Sequence, residues 1–213
     1  MLIGIVGLIG SGKDTVAQRL VAQHGFKRDS FAKSLKDATA NIFNWDRELL
    51  EGNTDVSREW REQPDAFWSE KFGKPVTPRW VLQYFGTEVM RGNMHDAIWI
   101  DSLISRYKGE KTVVSDTRFV NEIKVIKAHG GKIVCVKRGD LPTQKEMQEK
   151  NAHKSEWDWL DSKFDYIIDN DGTKEELYKK VDDLIIGLEI TNTPSKSSNT
   201  TESLTIGTNR FKI

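Results

Sequence analysis

The sequence predicts an open α/β domain, a parallel sheet with helices on both faces. Three observations predict it. Short, nearly all-apolar runs recur along the chain, as in strands buried on both faces. Stretches of helical periodicity separate them. The motifs that carry chemistry follow the strands, where open parallel sheets bind their ligands. At 213 residues the chain is long enough for one domain with an insert, and such a domain removes about 70% of its unfolded surface from water.

Residues 1–6, Met-Leu-Ile-Gly-Ile-Val, read as a buried strand stopped by a glycine turn. A helix over 13–23 follows, with Val16, Leu20 and Val21 on one face and Gly25 as its stop. A short strand at 26–31 and a helix at 33–42 come next. From 44 to 78 the pattern is irregular, charged and aromatic, and no regular element is expected. Helical periodicity returns over 79–91, through Val81, Leu82, Phe85 and Val89, and again over 96–107. In the second half, 112–115 reads as a strand, 121–129 as a helix, 132–136 as a strand and 139–155 as a polar segment. Residues 164–168 make the last strand and 174–188 the last helix. Thr173 opens that helix, with Glu176 completing a capping box. Residues 191–213 turn to Ser, Thr, Asn and Gly, the composition of a flexible polar tail.

Charge and cysteine usage narrow the function classes. Lys+Arg and Asp+Glu balance at 32 each, which argues against a protein that coats duplex DNA, since that binding needs a cationic excess. The single cysteine, Cys135, excludes a disulfide framework and a multi-Cys zinc site. No apolar run approaches the roughly 20 residues that span a bilayer, and the first strand runs straight into a glycine loop, unlike a signal peptide. A soluble, cytoplasmic protein is expected.

Gly7-Leu-Ile-Gly10-Ser11-Gly12-Lys13-Asp14-Thr15 follows the first strand and opens the first helix. This is the G-x-x-x-x-G-K pattern of a phosphate-binding loop. Glycines let the backbone wrap an anion closely, the amides and the helix N-terminus point at it, and Lys13 reaches the outer phosphates. Asp14 stands where a Ser or Thr is usual. Either Thr15 supplies the missing hydroxyl or Asp14 holds Mg²⁺ through water. After the 112–115 strand, Asp116-Thr117-Arg118 places a carboxylate where a metal or its waters are oriented, with an arginine suited to bidentate phosphate contact. The bland reading makes Asp116 a simple helix cap.

Further motifs complete a set: Phe31-Ala-Lys-Ser-Leu-Lys36-Asp37, Leu82-Gln83-Tyr-Phe-Gly-Thr87-Glu88, His153-Lys-Ser-Glu156 and Asp169-Asn170-Asp171-Gly172-Thr173. Together with GLIGSGKDT and SDTR they resemble the bacteriophage deoxynucleoside monophosphate kinase family, a branch of the P-loop nucleoside monophosphate kinases. The resemblance runs in order over about residues 1–188. It implies a P-loop NTPase three-layer sandwich with a five-stranded parallel sheet of order 2-3-1-4-5. It also implies a single kinase domain over 1–190, a helical substrate-binding insert over 31–107 and a lid over 139–155. The implied reaction moves the ATP γ-phosphoryl group to a deoxynucleoside monophosphate, with Mg²⁺, in nucleotide supply for DNA synthesis. A homodimer in the host cytoplasm, with no DNA polymer and no membrane as partner, is the implied setting.

By that resemblance Gly10, Ser11, Gly12, Lys13, Asp14, Thr15, Asn170 and Gly172 bind ATP. Asp14, Thr15 and Asp116 are the metal candidates. Lys36, Arg79, Gln83, Thr87 and Arg91 face the acceptor, with Gln83 offering an amide fork to a base edge. Arg118 sits between the two phosphate ends, and Arg138 folds over them as the lid closes. Plainer readings stand beside these: Gln83 and Thr87 as helix surface, Asn170-Asp171-Gly172 as a turn, and His153 as a structural histidine rather than a metal ligand. Five of the seven tryptophans lie between residues 45 and 99, and most read as the small core of the insert. Stacked aromatics also suit a polynucleotide end-processing ATPase, but acids thread the same segment. The phosphate loop is equally compatible with a P-loop small-molecule kinase resembling dephospho-coenzyme A or phosphomevalonate kinases, and Asp14 with an inactive P-loop relic.

Overall fold

The computed structural model describes residues 1–152 and 154–192. The expectations for His153 and for tail residues 193–213 lie outside them. Five parallel strands form one sheet: β1 (Leu2–Val6), β2 (Lys27–Asp29), β3 (Thr112–Val114), β4 (Lys132–Lys137) and β5 (Tyr166–Asp169), in the order β2-β3-β1-β4-β5. This is the expected order. Leu2 pairs with Thr112 on one side of β1, and Ile3 with Lys132 on the other.

Alternation along β1 divides the core into two layers. Ile3 and Ile5 pack under α1 (Lys13–His24) and α9 (Lys174–Asn192), with Leu20, Val181 and Ile185. Leu2 and Val6 face the opposite side, with Leu103 of α6 (Ile98–Arg106), Ile126 of α7 (Val120–Ala128) and Trp159. The helix α1 therefore sits rigidly on the sheet, and Arg19 ties it to α9 through two bonds to Asp182 at 2.9 and 2.6 Å. Val21, expected on the buried face, is exposed; Ala17 takes that place beside Val16 and Leu20. The Thr173–Glu176 capping box is present, with Thr173 N–H donating to Glu176 and Glu176 N–H to Thr173 Oγ1.

Between β2 and β3 lies the insert, and here expectation and structure part. Residues 44–78 are not irregular. After α2 (Lys33–Phe43) and a 3₁₀ turn (Leu49–Glu51) come α3 (Asp55–Glu62), α4 (Ala66–Phe72) and α5 (Pro78–Gln83), and α5 continues as a π-helix over Tyr84–Gly92. Thr54, Asp65 and Thr77 cap the three α-helices through side-chain oxygens, and Pro78 takes the first helical position. The tryptophans supply the core the charged pattern concealed: Trp45, Leu50, Val76 and Val81 are buried, with Trp60, Trp68 and Trp80 against them. Trp45 stacks on Phe43 at 4.6 Å and donates its indole N–H to Asp65 at 2.8 Å. β2 is shorter and more polar than expected because it is an edge strand. A further short helix, α8 (Gln144–Glu149), falls in the 139–155 segment.

Arg106, at the end of α6, locks the insert to the sheet. Its guanidinium donates to Asp29 at 2.8 Å, to the Ser30 carbonyl at 2.7 Å and to Ser34 Oγ at 2.9 Å. Leu103, three residues earlier, is fully buried in the layer beneath. Leu103→Ala is expected to cost about 2–5 kcal/mol, read as a lower denaturant midpoint with an unchanged m-value.

Candidate active site

The turn between β1 and α1 needs glycine. Gly10 and Gly12 have φ of 77° and 103°, a region costly to other residues. A Cβ on Gly12 would collide with Asn170 Nδ2. That nitrogen donates to the Ser11 carbonyl at 2.9 Å, and Asn170 is buried. Asn170 thus closes the back of the loop from the end of β5. The Ser11 hydroxyl is buried inside the loop with no partner among the described residues, which fits a site built for phosphate oxygens. Lys13 folds back, donating to the Gly7 and Leu8 carbonyls at 2.8 and 2.7 Å. Burial, and then the nearby charge of Arg118, draw its pKa below the usual lysine range.

Asp14 is exposed and ion-paired with Arg28 of β2, whose Nε also donates to Ser115 Oγ at 3.0 Å. The extra negative charge in the loop is therefore answered from the neighbouring edge of the sheet. Thr15, one residue on, is partly buried at the start of α1.

Asp116 stands at the end of β3 as expected. Its two carboxylate oxygens accept the N–H groups of Phe31 and Ala32 at 3.0 and 3.1 Å, at the start of α2. Burial raises its pKa against the pull of those amides and of Lys36 and Arg118. Arg118 is half-exposed and reaches Glu156 at 3.2 Å. Lys13, Arg118 and Glu156 share one electrostatic neighbourhood, so donor loop, SDTR segment and the residues after α8 converge. The structure adds Glu122, which carried no sequence motif. It is buried, and one of its oxygens accepts the N–H groups of Arg118 and Phe119 at 2.7 and 3.0 Å, fixing the backbone that carries Arg118.

In the insert, Lys36 Nζ lies 2.6 Å from Glu51 and Arg79 pairs with Glu62. Arg91 binds Asp96 at 3.1 Å and stacks over the Phe119 ring at 5.1 Å. Gln83 and Thr87 are exposed on the α5–π-helix run. Arg138 is exposed and donates to the Asn170 carbonyl at 3.0 Å, on the donor side near exposed Gly172. Arg118 thus bears electrostatically on both Lys13 and Asp116, and Lys36 on Asp116, while Arg79 and Arg91 sit in separate ion pairs.

Burial and the adjacent Asp116 charge push the Glu122 carboxyl up to about 8, from an ordinary 4.5. Between those values the folded chain holds a proton the unfolded chain has released, so raising pH favours unfolding. Stability is expected to fall between about pH 4.5 and 8 on this account, and Glu122→Gln to flatten that slope in pH-resolved thermal melts. Asn170→Ala, which leaves the Ser11 carbonyl without its donor, is expected to cost about 1–3 kcal/mol and to weaken nucleotide binding at the loop, measured by calorimetry.

Comparison with known proteins bears on this site. A family model described as deoxynucleotide monophosphate kinase matches residues 52–181. A putative deoxynucleotide monophosphate kinase of Acanthamoeba polyphaga mimivirus is 32% identical over 196 residues, covering 85% of this chain and 94% of that protein. The deoxynucleotide monophosphate kinase of Escherichia phage RB69 is 29% identical over 114 residues, 50% of this chain and 44% of that protein. Among solved structures, a shikimate kinase from Aquifex aeolicus covers 89% of this chain and 99% of its own, with 12% identity and a TM-score of 0.45, a superposition too loose to inform the site. By the span of the family model and the relative matched along nearly its whole length, the chain belongs to the deoxynucleotide monophosphate kinase family.

Proposed function

We propose that the protein transfers the γ-phosphoryl group of ATP to a deoxynucleoside 5′-monophosphate, giving the diphosphate and ADP, for nucleotide supply in DNA synthesis. One observation carries this reading. The family match at 52–181 excludes the phosphate loop that P-loop enzymes share and covers most of the insert, the SDTR segment and the 139–155 segment. It therefore favours this acceptor over that of another P-loop small-molecule kinase. With both relatives viral, the reading extends to a virus-encoded enzyme working in the host cytoplasm. Among the described residues no helix is long and apolar enough to cross a membrane.

In this reading an oxygen of the acceptor phosphate bonds to the γ-phosphorus as the bond to the β-phosphate bridging oxygen breaks. Such transfer depends on positioning and on stabilising spread negative charge. Lys13, the Ser11 hydroxyl and the loop amides hold the donor phosphates. Arg118, anchored through Glu122, spans the donor and acceptor ends. Lys36 leaves Glu51 to meet the acceptor phosphate. Arg79 and Arg91 border the acceptor cleft, while Gln83 and Thr87 meet the base. Arg138, with Asn170 and Gly172, lines the ATP side.

Mg²⁺, when bound, neutralises phosphate charge. Its candidates are Thr15, Asp14 and Asp116. With Asp14 held by Arg28 and Asp116 by two amides, the Thr15 hydroxyl is the donor we favour.

A coupled ADP-release assay with each deoxynucleoside monophosphate, with DNA ends and with small alcohols tests the reading. Turnover confined to DNA ends or alcohols overturns it. Lys13→Ala is expected to lower kcat/KM by about 100-fold or more without unfolding the chain. Arg118→Ala is expected to lower kcat by about 100-fold or more, with the acceptor KM little changed.

A further inference from the structure

One arginine of the insert stands outside the ion pairs around it. Lys36 pairs with Glu51 at 2.6 Å, Arg47 with Asp37 at 2.6 Å and Glu51 at 2.5 Å, Arg58 with Asp55 at 2.7 Å, and Arg79 with Glu62. Arg61, on α3 among them, has no such carboxylate among the described residues, and its Nε is buried without a hydrogen-bond partner. The guanidinium occupies space that only glycine leaves open. Gly52 has φ +67°, and a Cβ there would collide with Arg61 Cζ. Burial, followed by the charge of Arg79, lowers the Arg61 pKa, and Glu62 and Glu51 offset this only in part.

A half-buried guanidinium with an unpartnered Nε, beside Arg79, is held at some cost in the empty protein. The arrangement makes chemical sense if an anion completes it, and a planar guanidinium matches phosphate oxygens two at a time. The Arg61 guanidinium packs on Gly52, next in sequence to Glu51, and Glu51 is the carboxylate that Lys36 meets at 2.6 Å. A phosphate received at Arg61 would therefore lie next to the Glu51–Lys36 pair.

We infer that Arg61 is a ligand of the acceptor's 5′-phosphate, poised in the unliganded protein by Gly52 and by the absence of a carboxylate partner among the described residues. The inference rests on the nucleotide-kinase reading for the identity of the acceptor. It adds a residue that no sequence motif marks.

Calorimetric titration of the full chain with the four deoxynucleoside 5′-monophosphates, and with the four deoxynucleosides that lack the phosphate, tests it. Arg61→Gln is expected to weaken monophosphate binding by about 10- to 100-fold. Deoxynucleoside and ADP binding are expected to stay unchanged. The ligand-free melting temperature is expected to rise, which a purely structural arginine would not allow. Arg61→Lys is expected to recover part of the affinity. Gly52→Ala, which keeps the charge but displaces it, is expected to show the same loss of phosphate preference, and it serves as the deciding variant if Arg61→Gln does not fold. Full monophosphate affinity in the folded variant overturns the inference. Lack of turnover of any monophosphate by the unaltered chain, with phosphate preference still lost in Arg61→Gln, overturns the kinase reading alone.

Discussion

The helical insert hangs on a carboxylate at the end of β3. Residues 30–111 leave the sheet after β2 and return to the adjacent strand, so a large helical insert is tethered at one edge. Asp116 takes the Phe31 and Ala32 N–H groups on its two oxygens. This fixes the first turn of α2, and with it Lys36, relative to β3. Those amides begin a helix and have no intrahelical acceptor, so losing the carboxylate would leave two donors unsatisfied and the insert free to tilt. Arg106 supplies the second anchor, through Asp29 and Ser34. Glu122 repeats the device one segment later, for the backbone of Arg118. Two acids, one after β3 and one in α7, thus hold backbone rather than side chains.

Charge in the unliganded site is almost entirely answered from within. Asp14 has Arg28, Arg118 has Glu156, Lys36 has Glu51 and Arg79 has Glu62, while Lys13 is held by two carbonyls. Phosphate binding then exchanges partners rather than filling a field of bare cations, and net affinity is the difference between two sets of ion pairs. This explains how a chain with 32 positive and 32 negative residues can be organised for polyanionic ligands. It also gives the unusual Asp14 a physical place: Arg28, reaching across Ser115 from β2, cancels the charge that a carboxylate beside the phosphate loop would otherwise impose.

What was legible in the sequence follows from which forces are local. The loop glycines answer a backbone requirement, so their spacing alone located the turn between β1 and α1. The position of Asp116 and Arg118 after an apolar strand was legible for the same reason, as was the Thr173–Glu176 box. The helices of 44–78 were not, because their apolar residues are large rings that pack on one another instead of forming a stripe of aliphatic residues; only the caps at Thr54, Asp65 and Thr77–Pro78 marked them. Glu122 reads in sequence as a helix-start acid, and only its burial beside Asp116 gives it a role. Arg61 reads as one charge on a solvated face. β2 was expected to be apolar, whereas an edge strand needs no such pattern.

The π-helical run after Gln83 links the two ends of the acceptor region. Gly86 is buried there, and its carbonyl accepts the Trp99 indole N–H at 3.0 Å. A Cβ on Gly86 would meet Leu35 Cδ2 at 2.7 Å, so the π-helix lies directly against α2, one residue from Lys36. The helix that presents Gln83 and Thr87 is therefore packed on the helix that carries Lys36. Wide helical turns of this kind are frequent at functional sites, and here the widened segment sets one helix on the other at a side-chain-free contact. The two helices then cannot drift apart independently. If 83–87 read the base and Lys36 meets the acceptor phosphate, as proposed, a base that fits poorly would also disturb Lys36, so discrimination among bases would reach the rate of transfer as well as the strength of binding.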